Sequence, residues 1–371
     1  LKTPKIDTEF LLSTLKEMIS IPSPTGYTDQ IVRYTCRSLE KMGIGFEMTR
    51  RGAIRANLKG RQANPGRAIV AHLDTLGAMT KSLKDNGRLQ IVPIGTWSSR
   101  FAEGARVTIF CDDGVKRGSI LPLKSSGHTY NKEIDTLPIS WDTVEVRVDS
   151  PVFNKATLQS AGYKIGDFIA IDPVFEIIDD KYISSRHLDN KAGVATLLAA
   201  AKYLSDSKAD LPLDCHLLFT ISEEVGSGAS AVLHGDVSEM VSIDNSTVAP
   251  GQNSTEAGVT VCMKDSTGPF DYHLTHKLLG LCESNGIQHE RDVFRWYRCD
   301  AASAIEAGND IRTALVCFGC DSSHGYERTH IESLEALAKL VALYCQSEPT
   351  ASRDKDELST TLKGFTTQTE I

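Results

Sequence analysis

Four short apolar runs, residues 68–71, 216–221, 240–243 and 313–318, punctuate a chain whose remaining periodicity is largely helical. Runs of this length, flanked by polar residues, predict buried strands of a mixed or parallel sheet. Residues 7–43 predict two helices broken by Ile21-Pro-Ser-Pro-Thr-Gly26, a cluster that cannot continue a helix. The second helix aligns Ile31, Val32, Thr35, Leu39 and Met42 on one face. From Asn190 to Leu204 the texture is helical again, with Asp189 at the expected N-cap. Between residues 78 and 166 the pattern shifts to short alternating segments with turn signals at Asp85-Asn-Gly87 and Asp112-Asp-Gly114. The expected architecture is therefore an α/β catalytic domain with a mixed sheet, residues 1–77 and 167–346, interrupted by a small β-barrel-like insert, 78–166. Residues 347–371 are polar and predict a disordered tail.

This pattern matters because polar residues sit just past the apolar runs. His72 and Asp74 follow the first, Glu223 and Glu224 the second, and Asp244 the third, while His324 and His330 come after the fourth. In open α/β sheets the ligand crevice lies beyond the carboxyl ends of the strands, so groups distant in sequence meet there.

Composition narrows the field. The 371 residues are 41% hydrophobic and 24% charged, as in ordinary globular proteins. A net charge of −8 without a basic run argues against nucleic acid as a partner. The longest apolar candidate, 194–204, is interrupted by Lys202 and predicts a buried helix, so no membrane partner is expected. The nine cysteines are irregularly spaced and no secretory pattern precedes them, which points to a reducing cytoplasm. Cys317 and Cys320 form a single C-x-x-C inside an apolar run and read as core.

An isolated His-x-Asp is usually a capped strand end, and an Asp before a helix is usually an N-cap. Together with two adjacent glutamates they imply more. Glu223 and Glu224 repel each other unless a cation or distinct protonation roles relieve them. Two divalent ions bring +4 against −3 from Asp189, Glu224 and Asp244, and a hydroxide completes neutrality. Asp74 is expected to accept the second ring N–H of His72 and fix its orientation. Mixed imidazole and carboxylate donors suit zinc, cobalt or manganese more than a thiolate-preferring ion.

The motifs Ala71-His-Leu-Asp-Thr-Leu-Gly77, Ser185-Arg-His-Leu-Asp-Asn-Lys-Ala-Gly193, Ile221-Ser-Glu-Glu-Val-Gly226, Ile243-Asp244 and Arg328-Thr-His-Ile-Glu-Ser333 resemble, in order, those of the tetrahedral and glutamyl aminopeptidases of metallopeptidase family forty-two. The resemblance spans about residues 8–345 and implies a dinuclear aminopeptidase of short peptides. It implies one ion on His72, Asp189 and Asp244 and another on Asp189, Glu224 and His330, with His324 as the fallback ligand. A hydroxide held by the two ions would attack, Glu223 would act as general base, and Asp74 would orient His72. It also implies a dimer-based homo-oligomer, up to a dodecamer. Thr75-Leu76 and Ser227-Gly228 depart from the usual wording and leave the specificity pocket open. The wording of the chain also resembles a subgroup associated with the osmoprotectant N-acetylglutaminylglutamine amide, which implies as the alternative function deacylation or amide hydrolysis of such a conjugate.

Overall fold

The fold is described from a computed structural model, for residues 3–355 and 360–368. Two helices open the chain, α1 (Thr8–Ile19) and α2 (Asp29–Lys41). The Asp7 carboxylate caps α1 by accepting the Phe10 N–H at 3.0 Å. Leu11, Leu15 and Met18, spaced by four and three residues, form its buried face. In α2, Ile31, Val32, Thr35 and Leu39 are buried as predicted, whereas Met42 is the C-cap and only partly buried.

Three strands follow, β1 (Phe46–Met48), β2 (Ile54–Leu58) and β3 (Gln62–His72). The insert then forms a closed six-stranded barrel: β4 (Gly77–Leu83), β5 (Arg88–Ile94), β6 (Arg106–Cys111), β7 (Gly114–Pro122), β8 (Val144–Val148) and β9 (Phe168–Ile171). Closure leaves no free edge. Alternation along β6 turns Val107 and Ile109 inward, where they meet Leu89, Ile120, Val146 and Ile169. The predicted turns at 85–87 and 112–114 join β4 to β5 and β6 to β7. Because β9 pairs with both β4 and β6, the barrel takes in residues 168–171, beyond the end expected from the sequence.

The chain returns to the main sheet through β10 (Glu176–Ile178) and β11 (Tyr182–Ser185), then the long helix Leu188–Asp206. The remaining strands are β12 (Leu213–Thr220), β13 (Val237–Val248), β14 (Val259–Asp265), β15 (Gly268–Pro269), β16 (His289–Val293), β17 (Arg312–Asp321) and β18 (Glu327–His330). The main path runs β1-β2-β12-β3-β13-β17-β18-β11-β10, with β14 to β16 branching from β17. The centre is parallel, β12 to β3, β3 to β13 and β13 to β17. Its strands are buried on both faces, which is why they read as unbroken apolar runs. The long helix Leu188–Asp206 and the last helix, Ile331–Gln346, pack on this core. Cys317 and Cys320 are fully buried and unpaired.

One ion pair lies inside the sheet. Arg67 and Glu239, both 0% exposed, meet at 2.9 Å, with the Arg67 guanidinium 4.5 Å from the Tyr344 ring centroid. The expected tail disorder is corrected for the segment just after the last helix. The Thr350 N–H donates to Glu239 at 3.1 Å, and Asp354 pairs with Arg312 at 2.7 Å. Polar residues there satisfy the buried Glu239 and the half-buried Arg312. Residues 356–359 and 369–371 of that stretch lie outside the described residues. Among the described residues, no helix is long and apolar enough to cross a membrane.

Candidate metal centre

The parallel centre of the sheet delivers the predicted groups to one end. His72 closes β3 opposite Thr220, the last residue of β12, and Ser222, Glu223 and Glu224 follow directly. Asp244 lies on β13 opposite Cys317 of β17, and His324 follows the end of β17. Asp189 arrives from the far side of the insert. It is not the N-cap expected from the sequence: His187 holds that position with left-handed backbone, φ 66°. Asp189 itself has non-helical angles (φ −71°, ψ 107°), which free its carboxylate from capping. Beside it, the Asn190 amide donates to the Ile243 carbonyl at 2.7 Å and ties the segment to β13.

The side chains converge. His72 Nε2 lies 3.1 Å from Asp189 Oδ1, 3.8 Å from Glu223 Oε2 and 3.8 Å from Asp244 Oδ1. One ligand atom from each of His72, Asp189 and Glu224 falls within 4.8 Å of the others. His324 Nε2 is 3.4 Å from Asp189 Oδ2 and 4.0 Å from Glu224 Oε2. Its Nδ1 lies 3.1 Å from the Thr96 carbonyl, which orients the ring toward the carboxylates.

His330 does not join this group. It is the N-cap of the last helix, its Nδ1 accepts the Glu332 N–H at 3.1 Å, and its ring packs edge-on against Tyr182. Its one carboxylate neighbour within 4 Å among the described residues is Glu332. The His-then-helix wording that favours His330 thus marks a cap, and His324 stands where the last ligand was expected. Asp74 also differs from expectation. His72 Nδ1 lies 2.9 Å from the Asp74 backbone carbonyl and 3.6 Å from its carboxylate. The carboxylate instead accepts the N–H groups of Glu223 (3.1 Å) and Glu224 (3.3 Å) and the Thr25 hydroxyl (2.6 Å). It braces the turn that carries both glutamates.

A family model described as M42 glutamyl aminopeptidase matches residues 52–340. The chain belongs to the M42 family. YhfE of Bacillus subtilis, whose name assigns it provisionally to the aminopeptidases, is 36% identical over 91% of this chain and 97% of its own length. The glutamyl aminopeptidase of Lactococcus lactis is 26% identical over 58% of this chain and 60% of its own. In fold, the chain is similar to the TET1 peptidase of Pyrococcus horikoshii, which assembles into a tetrahedron or an octahedral shell. That likeness has TM-score 0.80 at 23% identity and covers 91% of this chain and 100% of the other. The chain is an enzyme of the aminopeptidase class.

In this M42 enzyme the centre is electrostatically incomplete as protein alone. Burial pushes the Glu223 carboxyl well above the carboxylate range against the pull of His72. Burial and then the Asp189 charge do the same to Glu224. Burial disfavours the His72 imidazolium, yet the hydrogen bond to Asp189 and the nearby Asp244 carboxylate outweigh it and raise its pKa well above the usual value. Asp189 is held low in spite of burial by its contacts with His324 and His72. Most telling, Glu224 Oε1 is buried and has no hydrogen-bond partner among the described residues. A buried carboxylate oxygen left unpaired is costly, and a divalent cation amid these nitrogen and oxygen donors would satisfy it. The residues fit a metal.

Beside the cluster opens a cavity of about 540 Å³, lined by Glu223, Glu224, Asp244, Trp296, Arg298 and His324. Trp296 is 85% exposed at its rim. On the floor, the Tyr297 hydroxyl donates to the Asn245 carbonyl at 2.8 Å. Arg298 is paired bidentately with Glu306 at 2.8 and 2.5 Å. Sequence reasoning missed Glu327, which is 1% exposed and raised to about 8 by burial and then by the Asp189 charge. Its one visible signal is its spacing of three residues after His324.

Proposed function

We propose that this protein is a metal-dependent aminopeptidase that removes the N-terminal residue of short peptides. The buried, unpartnered Glu224 oxygen among converging His and Asp donors is the observation that carries this reading. His72, Asp189 and Asp244 would hold one divalent ion, and Asp189, Glu224 and His324 a second. Zinc is the first candidate, with cobalt or manganese next, since the donors are imidazole and carboxylate. Such ions supply Lewis acidity toward the scissile carbonyl and lower the pKa of water. Glu223, at the cavity wall, takes the proton from the attacking water and returns it to the leaving amine. The N–H bonds to Asp74 keep its backbone fixed while its carboxylate works. The cavity size admits a short peptide and its wall supplies an aromatic contact in Trp296. A homo-oligomer is part of the proposal, by analogy with the shells of the Pyrococcus horikoshii relative. A reducing cytoplasm suits the nine unpaired thiols.

The test is hydrolysis of paired free and N-acetylated dipeptides by protein loaded with zinc, cobalt or manganese, beside a chelated control. Ion-dependent cleavage confined to free amines is the expected result. Cleavage of acetylated or amidated substrates instead would move the function to conjugate hydrolysis.

A further inference from the structure

Glu327 opens β18 opposite Ser185 of β11, and its carboxyl points back between the two segments that deliver Asp189 and His324. Its Oε2 accepts the backbone N–H of Asp189 at 3.1 Å, and its Oε1 accepts the backbone N–H of His324 at 3.1 Å. One carboxylate thus joins the main chains of two residues 135 positions apart (324 − 189), and leaves both side chains free to face a cation. Each segment needs such a tie. His324 has a left-handed backbone (φ 66°), as does His187 just before Asp189 (φ 66°). Side chains other than glycine adopt that region only when the surroundings hold them there. Asp74 performs the matching task on the opposite wall, where it accepts the N–H groups of Glu223 and Glu224. The arrangement is chemically specific, because the two backbone donors approach different oxygens of one group. A glutamine would turn its NH₂ toward one of them.

We infer that Glu327 is a positioning residue of the centre, fixing the spacing of Asp189 and His324 and so the hold on the ion those two residues share. The inference rests on the ligand set proposed above. The half-buried Arg186 lines the same small cavity as Asp189, His324 and Glu327, with its guanidinium 5.6 Å from the Tyr326 ring centroid. It supplies positive charge beside the clamp without competing for its oxygens.

The experiment measures zinc affinity stepwise, by competition with a chromophoric chelator, for wild type, Glu327→Gln and His324→Ala, with the melting temperature of each metal-free protein. Removing a group that orients a ligand typically weakens metal binding about 10- to 100-fold. Glu327→Gln should weaken by that factor the same ion that His324→Ala loses, leave the other ion much less affected, and leave the metal-free melting temperature close to wild type. Unchanged affinity for both ions would overturn the inference, and so would equal weakening of both together with a fallen melting temperature, which marks a general structural role. If the Gln variant does not fold, Glu327→Asp withdraws both acceptors by one methylene and gives the same reading with a smaller selective loss. Wild-type protein that binds no zinc would instead sink the ligand set itself.

Discussion

Glu145 in the barrel and Glu224 in the main domain are both buried carboxylates, yet the protein treats them in opposite ways. Glu145, 3% exposed, is met by the Lys84 ammonium, by Arg88 at 3.0 Å and by the Asn86 amide at 3.4 Å. Its charge is answered within the chain, as is that of Glu239 against Arg67. Glu224 lies among Asp189, Glu223 and Asp74 with His72 and His324 as its nearest positive partners, and one of its oxygens has no hydrogen-bond partner among the described residues. A fold able to pair buried charges such as these has left an oxygen of Glu224 unpaired at the site. The contrast separates charge used to hold the structure from charge kept for a cation.

The largest effect that probes this contrast concerns the proton-transfer group. Glu223→Gln should keep wild-type metal content and lower the rate about 10²- to 10⁴-fold. Loss of metal instead would exchange the roles of Glu223 and Glu224. Next, His324→Ala should cost one of two ions in elemental analysis, while His330→Ala should keep both. The reverse pattern would return the last ligand to the helix cap. The smallest effects test the comparison itself through thermal melts of metal-free protein. Glu145→Gln should destabilise by about 1–3 kcal/mol, toward the low end because Lys84 and Arg88 are about a third exposed. Glu224→Gln should instead stabilise, and more at pH 8 than at pH 5. A carboxyl raised in the folded state contributes stability below its unfolded pKa of about 4.5 and loses it as pH rises through the raised value. Glutamine escapes that loss. A destabilising Glu224→Gln at pH 8 would show that the carboxylate is paired after all.

Much of the fold was legible because the physics is local. Strands buried on both faces announce themselves as apolar runs, and the polar residues just past them, His72, Glu223, Glu224 and Asp244, reach the site by sheet geometry alone. The last proposed ligand was harder to read. His324 reaches the carboxylates through a left-handed backbone after β17, which periodicity does not encode, whereas His330 carries the more regular His-then-helix wording. The braces were hidden for a different reason. Asp74 and Glu327 act on backbone N–H groups of residues far away in sequence, and no spacing rule reports a carboxylate whose partner is main chain. The packed start of the tail escaped because its polar residues answer charges placed elsewhere, the buried Glu239 and the half-buried Arg312, which look ordinary until the sheet is assembled.

The barrel is spliced between His72 and Asp189, which stand 117 residues apart in the chain. Were that stretch unstructured, bringing the two residues together would mean closing a very long loop. Antiparallel pairing of Ala78 with Ile169 short-circuits it, leaving only the brief connections on either side. Loop-closure entropy grows as (3/2)RT ln n, so shortening the free path several-fold lowers the cost of bringing His72 to Asp189 by about 1 kcal/mol. The closed barrel therefore acts as a splint, holding close together the two chain segments that lead to His72 and Asp189.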